Sequence, residues 1–113
     1  MAAGDVVVGS TTYGWHGLMN QGIITGTVTL DGSNPTPIAL SAYFSAVLGA
    51  VVSMDGSVAP ADDPSLITHT ISGTTVNVYA WKNTGGTDPT LVASTDNARL
   101  VHFWAIGTKL PNL

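Results

Sequence analysis

Leu66-Ile-Thr-His-Thr-Ile71, Ser72-Gly73, Thr74-Thr-Val-Asn-Val-Tyr-Ala-Trp81 is the stretch whose reading decides the fold. Two runs rich in β-branched and aromatic residues flank a Ser-Gly pair, which is the two-residue spacing of a tight β-hairpin. Successive side chains on a strand point to opposite faces, so Tyr79 and Trp81 share one face of the second run. Downstream, Lys82 to Pro89 reads as a loop, and Leu91 to Ser94 as a short strand. After Asp96-Asn97 a last strand runs from Arg99 to Ile106. In it Val101, Phe103 and Ala105 alternate with His102, Trp104 and Ile106. Both faces are therefore bulky, which predicts a central strand or an interface.

Upstream of the hairpin, Ser57 to Ser65 reads as a loop, because neither Pro60 nor Pro64 suits a ladder and Asp62-Asp63 favours solvent. Ile23 to Leu30 is a strand with Val28 and Leu30 on one face and Thr27 and Thr29 on the other. It stops at Asp31-Gly32-Ser33-Asn34-Pro35, where glycine can take positive φ and proline cannot continue a ladder, and a short strand from Pro37 to Leu40 returns. Between Ala39 and Val52 the residues Leu40, Tyr43, Phe44, Val47, Leu48 and Val51 recur at helical spacing. This predicts one or two helical turns over Ser41 to Val47, then a strand from Ala50 to Met54 that Asp55-Gly56 ends. Short strands with turn signals every 8–12 residues predict an all-β protein, a small antiparallel β-sandwich or barrel of jelly-roll-like kind with one short helical turn.

The first residues read differently. Val6-Val7-Val8 could form a strand, but Gly9 to Gly17 is broken by glycines and carries Tyr13, Trp15 and His16 without regular period. Residues 1–20 are expected to form an extended N-terminal arm that either wraps its own domain or orders on a partner, ahead of a single β-domain over 21–113. Val6, Val7, Val8, Tyr13, Trp15 and His16 are its candidate partner contacts.

Composition narrows the function. Of 113 residues only 9% are charged, all seven acids are Asp, and the basic set is Lys82, Arg99 and Lys109. Soluble domains average about 25% charged. The near absence of the residues that cover helix surfaces argues against an all-α protein. A net charge of −4 with three scattered basic residues offers no footprint for phosphates, so no nucleic-acid partner is expected. Cysteine is absent, which excludes disulfide staples, thiolate zinc sites and thiol nucleophiles. The start lacks the basic region and apolar run of a secretory signal, and no apolar stretch approaches the ~18 residues of a membrane span. A soluble protein made in the cytoplasm, with no membrane partner, is expected.

A search for chemistry returns little. His69 lies among threonines on a face shared with Ile67 and Ile71, and His102 shares one with Trp104, positions that favour packed or hydrogen-bonded histidines. His16 has no carboxylate at a ligand-like spacing. No serine sits in a Gly-x-Ser-x-Gly elbow, and Asp62-Asp63 lacks the spacing and bidentate Glu of a calcium loop. No catalytic residue, cofactor or metal is expected, and the protein is read as not an enzyme. Tyr79, Trp81 and Trp104 are the candidate exposed or interface aromatics. Tyr79 and Trp81 could form a sugar-stacking platform, although aromatic neighbours are also ordinary sheet stabilisers, and the structural reading is favoured. Exposure discriminates the two.

Gly26-Thr-Val-Thr-Leu-Asp31, a Pro-containing turn, an apolar stretch before a Val-rich strand, Thr75-Val-Asn-Val-Tyr-Ala-Trp81 and the closing Val101-His-Phe-Trp-Ala-Ile-Gly107 together resemble small β-rich virion proteins of tailed bacteriophages. The resemblance covers roughly Ile23 to Lys109 and lies in the order of elements and the closing motif. It departs from the pattern at Ser41 to Val47 and in the long Asp-Pro loop. Proteins of this kind look like capsid decoration, or cement, proteins that bind the outside of the shell, often as trimers. The resemblance therefore implies a structural virion protein on the capsid exterior, made in the host cytoplasm, with the major capsid protein and sister copies as partners. A tail or head-fibre component and a small carbohydrate-binding module are the rival readings.

Overall fold

The computed structural model describes residues 3–13, 21–57, 63–83 and 90–110. Its strands are β1 (Val6–Tyr13), β2 (Gln21–Thr29), β3 (Thr36–Ala39), β4 (Phe44–Met54), β5 (Leu66–Ser72), β6 (Thr75–Asn83), β7 (Leu91–Ala93) and β8 (Leu100–Lys109). All pairings are antiparallel. One sheet runs β1-β2-β8-β4 and the other β3-β6-β5, with β7 also paired to β6. The chain is all-β, as the turn spacing and the missing helix formers predict.

Strand β8 is the interior strand that its two bulky faces called for, with β2 on one side and β4 on the other. Val101, Phe103 and Ala105 are buried and His102 and Trp104 exposed, so the alternation resolves into an inner and an outer face. The inner faces of the two sheets meet in one apolar cluster: Ile24 and Val28 from β2, Phe44 and Val47 from β4, Ile38 from β3, Val76 and Val78 from β6, and the β8 trio. Burying such side chains contributes roughly 1.5–3 kcal/mol each, which is the main term holding the sheets together.

The β5–β6 hairpin forms one residue later than the Ser-Gly reading. Ser72 pairs with Thr75, so the two-residue loop is Gly73-Thr74, and Gly73 takes φ +59° at the first loop position. Tight hairpin turns need positive φ there, which glycine adopts at no steric cost.

One expectation is corrected. Ser41 to Val47 contains no helical segment. A single hydrogen-bonded turn, in which Leu40 O accepts from Tyr43 N and Phe44 N at 3.0 Å, leads directly into β4. The helical spacing has another cause: β4 slips register against β8 between Phe44 and Ala46 and again between Val47 and Gly49. Each bulge adds a residue, so the inward positions become Phe44, Val47 and Ala50 and their period is three, not two. Of the two alternatives for residues 1–20, wrapping their own domain or ordering on a partner, the described part follows the first over one strand. Val6–Tyr13 is β1, paired with β2 from Val6↔Val28 to Tyr13↔Gly22. The β-branched Val6-Val7-Val8 suits a ladder, and the glycine break is absorbed where the register shifts between Val8 and Ser10. Trp15 and His16, both expected in the arm, lie outside the described residues.

Candidate interaction faces

Register across sheet β1-β2-β8-β4 sets out its outer face row by row. Ser53, His102, Thr27 and Val7 form one row, Val51, Trp104 and Thr25 the next, and Gly49, Ile106 and Ile23 a third. Val51 is 52% exposed, Val7 48% and Trp104 44%, and Leu48, pushed outward by the second bulge, is 55% exposed. Four large apolar side chains thus stand in solvent on one face whose rows hold no Asp, Lys or Arg. An open groove of about 400 Å³ runs beside Trp104, walled by Thr25, Thr27, Val51, Ser53 and His102. Val7, 48% exposed, continues the apolar surface onto β1, an outermost strand of the described sheet, while Val6, paired with inward Val28, lies on the opposite side.

At the border of this face His102 Nε2 lies 2.6 Å from Asp55 Oδ2. Asp55 Oδ1 accepts from Ser57 N at 2.8 Å and also from the Ser57 hydroxyl. The Ser57 hydroxyl first, then His102 and the Ser57 amide, hold the Asp55 carboxyl well below the usual carboxylate range. The three residue types are those of a hydrolytic triad, but the connections differ. Ser57 donates to the aspartate rather than to the histidine, so the contact that would activate a nucleophile is not made. The cluster is a turn in which an aspartate caps the end of β4 and fixes one orientation of the His102 ring. Among the described residues no group of three or more His, Cys, Asp or Glu could hold a metal ion.

The outer face of the second sheet is different. Tyr79 and Trp81 are stacked, with ring planes 13° apart and centroids at 6.3 Å, and both are half-buried. Trp81 Nε1 donates to Thr68 Oγ1 at 3.0 Å, which satisfies the indole and holds its ring. Cross-strand register puts Leu66 opposite Trp81, Thr68 opposite Tyr79 and Thr70 opposite Asn77 on this face.

Of the residues singled out in the sequence, Trp104 and Val7 belong to the first face, while Val6 and Val8 lie on its inner side, Val8 packed against the core and Val6 36% exposed at the end of β1. Tyr13 closes β1. Tyr79 and Trp81 are brought together as their shared face requires, on the other sheet from Trp104. Sequence reasoning did not single out Leu48 and Val51, because their outward direction is set by the bulges of β4 against β8. It also missed the link from Asp55 to His102 across 47 residues, which no local signal announces.

Comparison with models of known protein families, with curated proteins and with solved structures returns no match.

Proposed function

We propose that this chain is a structural assembly protein of the capsid-decoration type, a jelly-roll-like β-sandwich that attaches to the outside of a bacteriophage head as a homotrimer and stabilises the assembled shell. The observation that carries this reading is the outer face of β1-β2-β8-β4, where Trp104, Val51, Leu48 and Val7 stand in solvent in rows that hold no Asp, Lys or Arg, with the Asp55–His102 pair at the border. Scattered surface apolar residues are ordinary, but a contiguous group on a rigid sheet marks an association surface. In this reading sister copies cover that face, and β1, an edge strand among the described residues, adds directional hydrogen bonds to the major capsid protein. Attachment only to the finished shell stabilises it by mass action, and several copies per trimer multiply modest contacts. The negative net charge suits a position away from packaged nucleic acid.

The test pairs sedimentation with capsid binding. The full chain is expected to sediment as a trimer and to pellet with capsids that lack it. Trp104→Asp, which places a charge at the centre of the face while leaving the core untouched, is expected to sediment as a folded monomer and stay in the supernatant. A monodisperse monomer at high concentration, or an unchanged trimer in the variant, overturns the reading.

A further inference from the structure

We propose that the Tyr79–Trp81 pair on the outer face of the second sheet is a carbohydrate-binding platform that takes a neutral pyranose chain. This inference uses the sheet that the assembly reading leaves in solvent, and it stands or falls separately from it.

Three observations converge on a sugar. The two rings are nearly parallel, 13° apart, with centroids 6.3 Å apart, and both are only half-buried, so part of the pair faces solvent. The electron-rich face of an aromatic ring attracts the slightly positive C–H groups on one side of a pyranose ring. Second, the platform is held before any ligand arrives: the Trp81 indole donates to Thr68 Oγ1 at 3.0 Å, and the backbone beneath it is locked between β5 and β7. Less side-chain freedom is then lost on binding. Third, the surroundings are neutral and rich in hydroxyl and amide groups. Thr68, Thr70, Asn77 and Thr75 share the face with the rings, exposed Leu66 flanks Trp81, and the β5–β6 register places no charged residue there. A sugar's hydroxyls need neutral donors and acceptors beside the stacking surface. A nucleic-acid strand, which would also stack, needs Lys and Arg for its phosphates, and this face supplies neither. A second copy of the chain would be expected to seek larger contiguous apolar area, which lies instead around Trp104.

Affinity electrophoresis of the full chain through gels containing β-glucan, xylan, mannan or amylose tests the proposal. Retardation by at least one polysaccharide is expected. Retardation should be lost in Trp81→Ala and Tyr79→Ala and retained in Trp104→Asp. Because truncation could disturb the sheet, amide shifts of the unaltered chain are to be followed during titration with oligosaccharides of the retarding polymer, and they should map to the outer face of β5 and β6. No retardation by any of the four, retardation that survives both aromatic truncations, or shifts centred on β8 would each overturn the proposal. A change in oligomeric state in Tyr79→Ala, with sugar binding absent, would identify this face as a protein contact and overturn it too.

Discussion

At the scale of single residues, the buried polar groups show how closely the fold accounts for its hydrogen bonds. Thr36, fully buried, donates through Oγ1 to Asp31 Oδ1 at 2.9 Å and accepts from Asp31 N at 3.1 Å. Burial pushes the Asp31 carboxyl up, but bonds from Ser33 and Thr36 outweigh it and leave the group below its ordinary value. The Asn34 side chain accepts from Ala80 N at 2.8 Å, satisfying a donor of β6 that lies between its partners β3 and β7. Ser94 is buried and bonded to Asp63. Among the described residues Thr29 is the exception, because its buried Oγ1 has no partner there. A buried hydroxyl without a partner costs its desolvation. Thr29→Val keeps the shape and β-branching, so it is expected to raise stability by about 1 kcal/mol, read as a higher urea midpoint with an unchanged slope.

At the scale of elements, two glycines record where strands press together. A Cβ on Gly107 would meet Ala46 O at 2.5 Å and the Phe44 ring at 2.7 Å, at the first bulge of β4. One on Gly26 would meet Val7 O at 2.2 Å, where β1 crosses close to β2. Gly107→Ala is therefore expected to cost about 2–3 kcal/mol by overpacking, whereas Gly56→Ala, with nothing within 4 Å, should leave the thermal midpoint unchanged. These bulges also explain what could be read from the sequence. The hairpin was legible because its two strands and its turn are adjacent in the chain and each obeys period two. The inner and outer faces of β8 were legible for the same reason. Strand β4 was not, since a bulge is defined by the partner strand, and β8 begins 46 residues after β4 ends, from Met54 to Leu100. Strand β1 was obscured by glycine, whose fit to a ladder depends on the strand beside it. Of the candidate faces, Trp104 and the Tyr79–Trp81 pair could be named from alternation. Val51 and Leu48 required the true register.

At the scale of the whole molecule, the low charge takes on a spatial meaning. The two outward faces both lack Asp, Lys and Arg in their described register rows but differ in kind, one apolar and one aromatic with hydroxyls. The order of strands matters as well. Strand β8 joins β2 to β4, so the first sheet is completed by pairings such as Gln21↔Thr108 that span most of the chain. Contacts of such long sequence separation must close large loops before they return any stability. Refolding from denaturant is accordingly expected on the millisecond-to-second scale, with Val101→Ala slowing folding if β8 docks in the transition state; microsecond folding would contradict this. On the ribosome, β8 emerges after every strand it joins. Until it does, the β1–β2 hairpin and β4 have no shared partner, and the apolar inner sides of both stand uncovered. A nascent chain halted before Leu100 should therefore be a substrate for holdase chaperones and proteases, and release from that surveillance comes with one ten-residue strand.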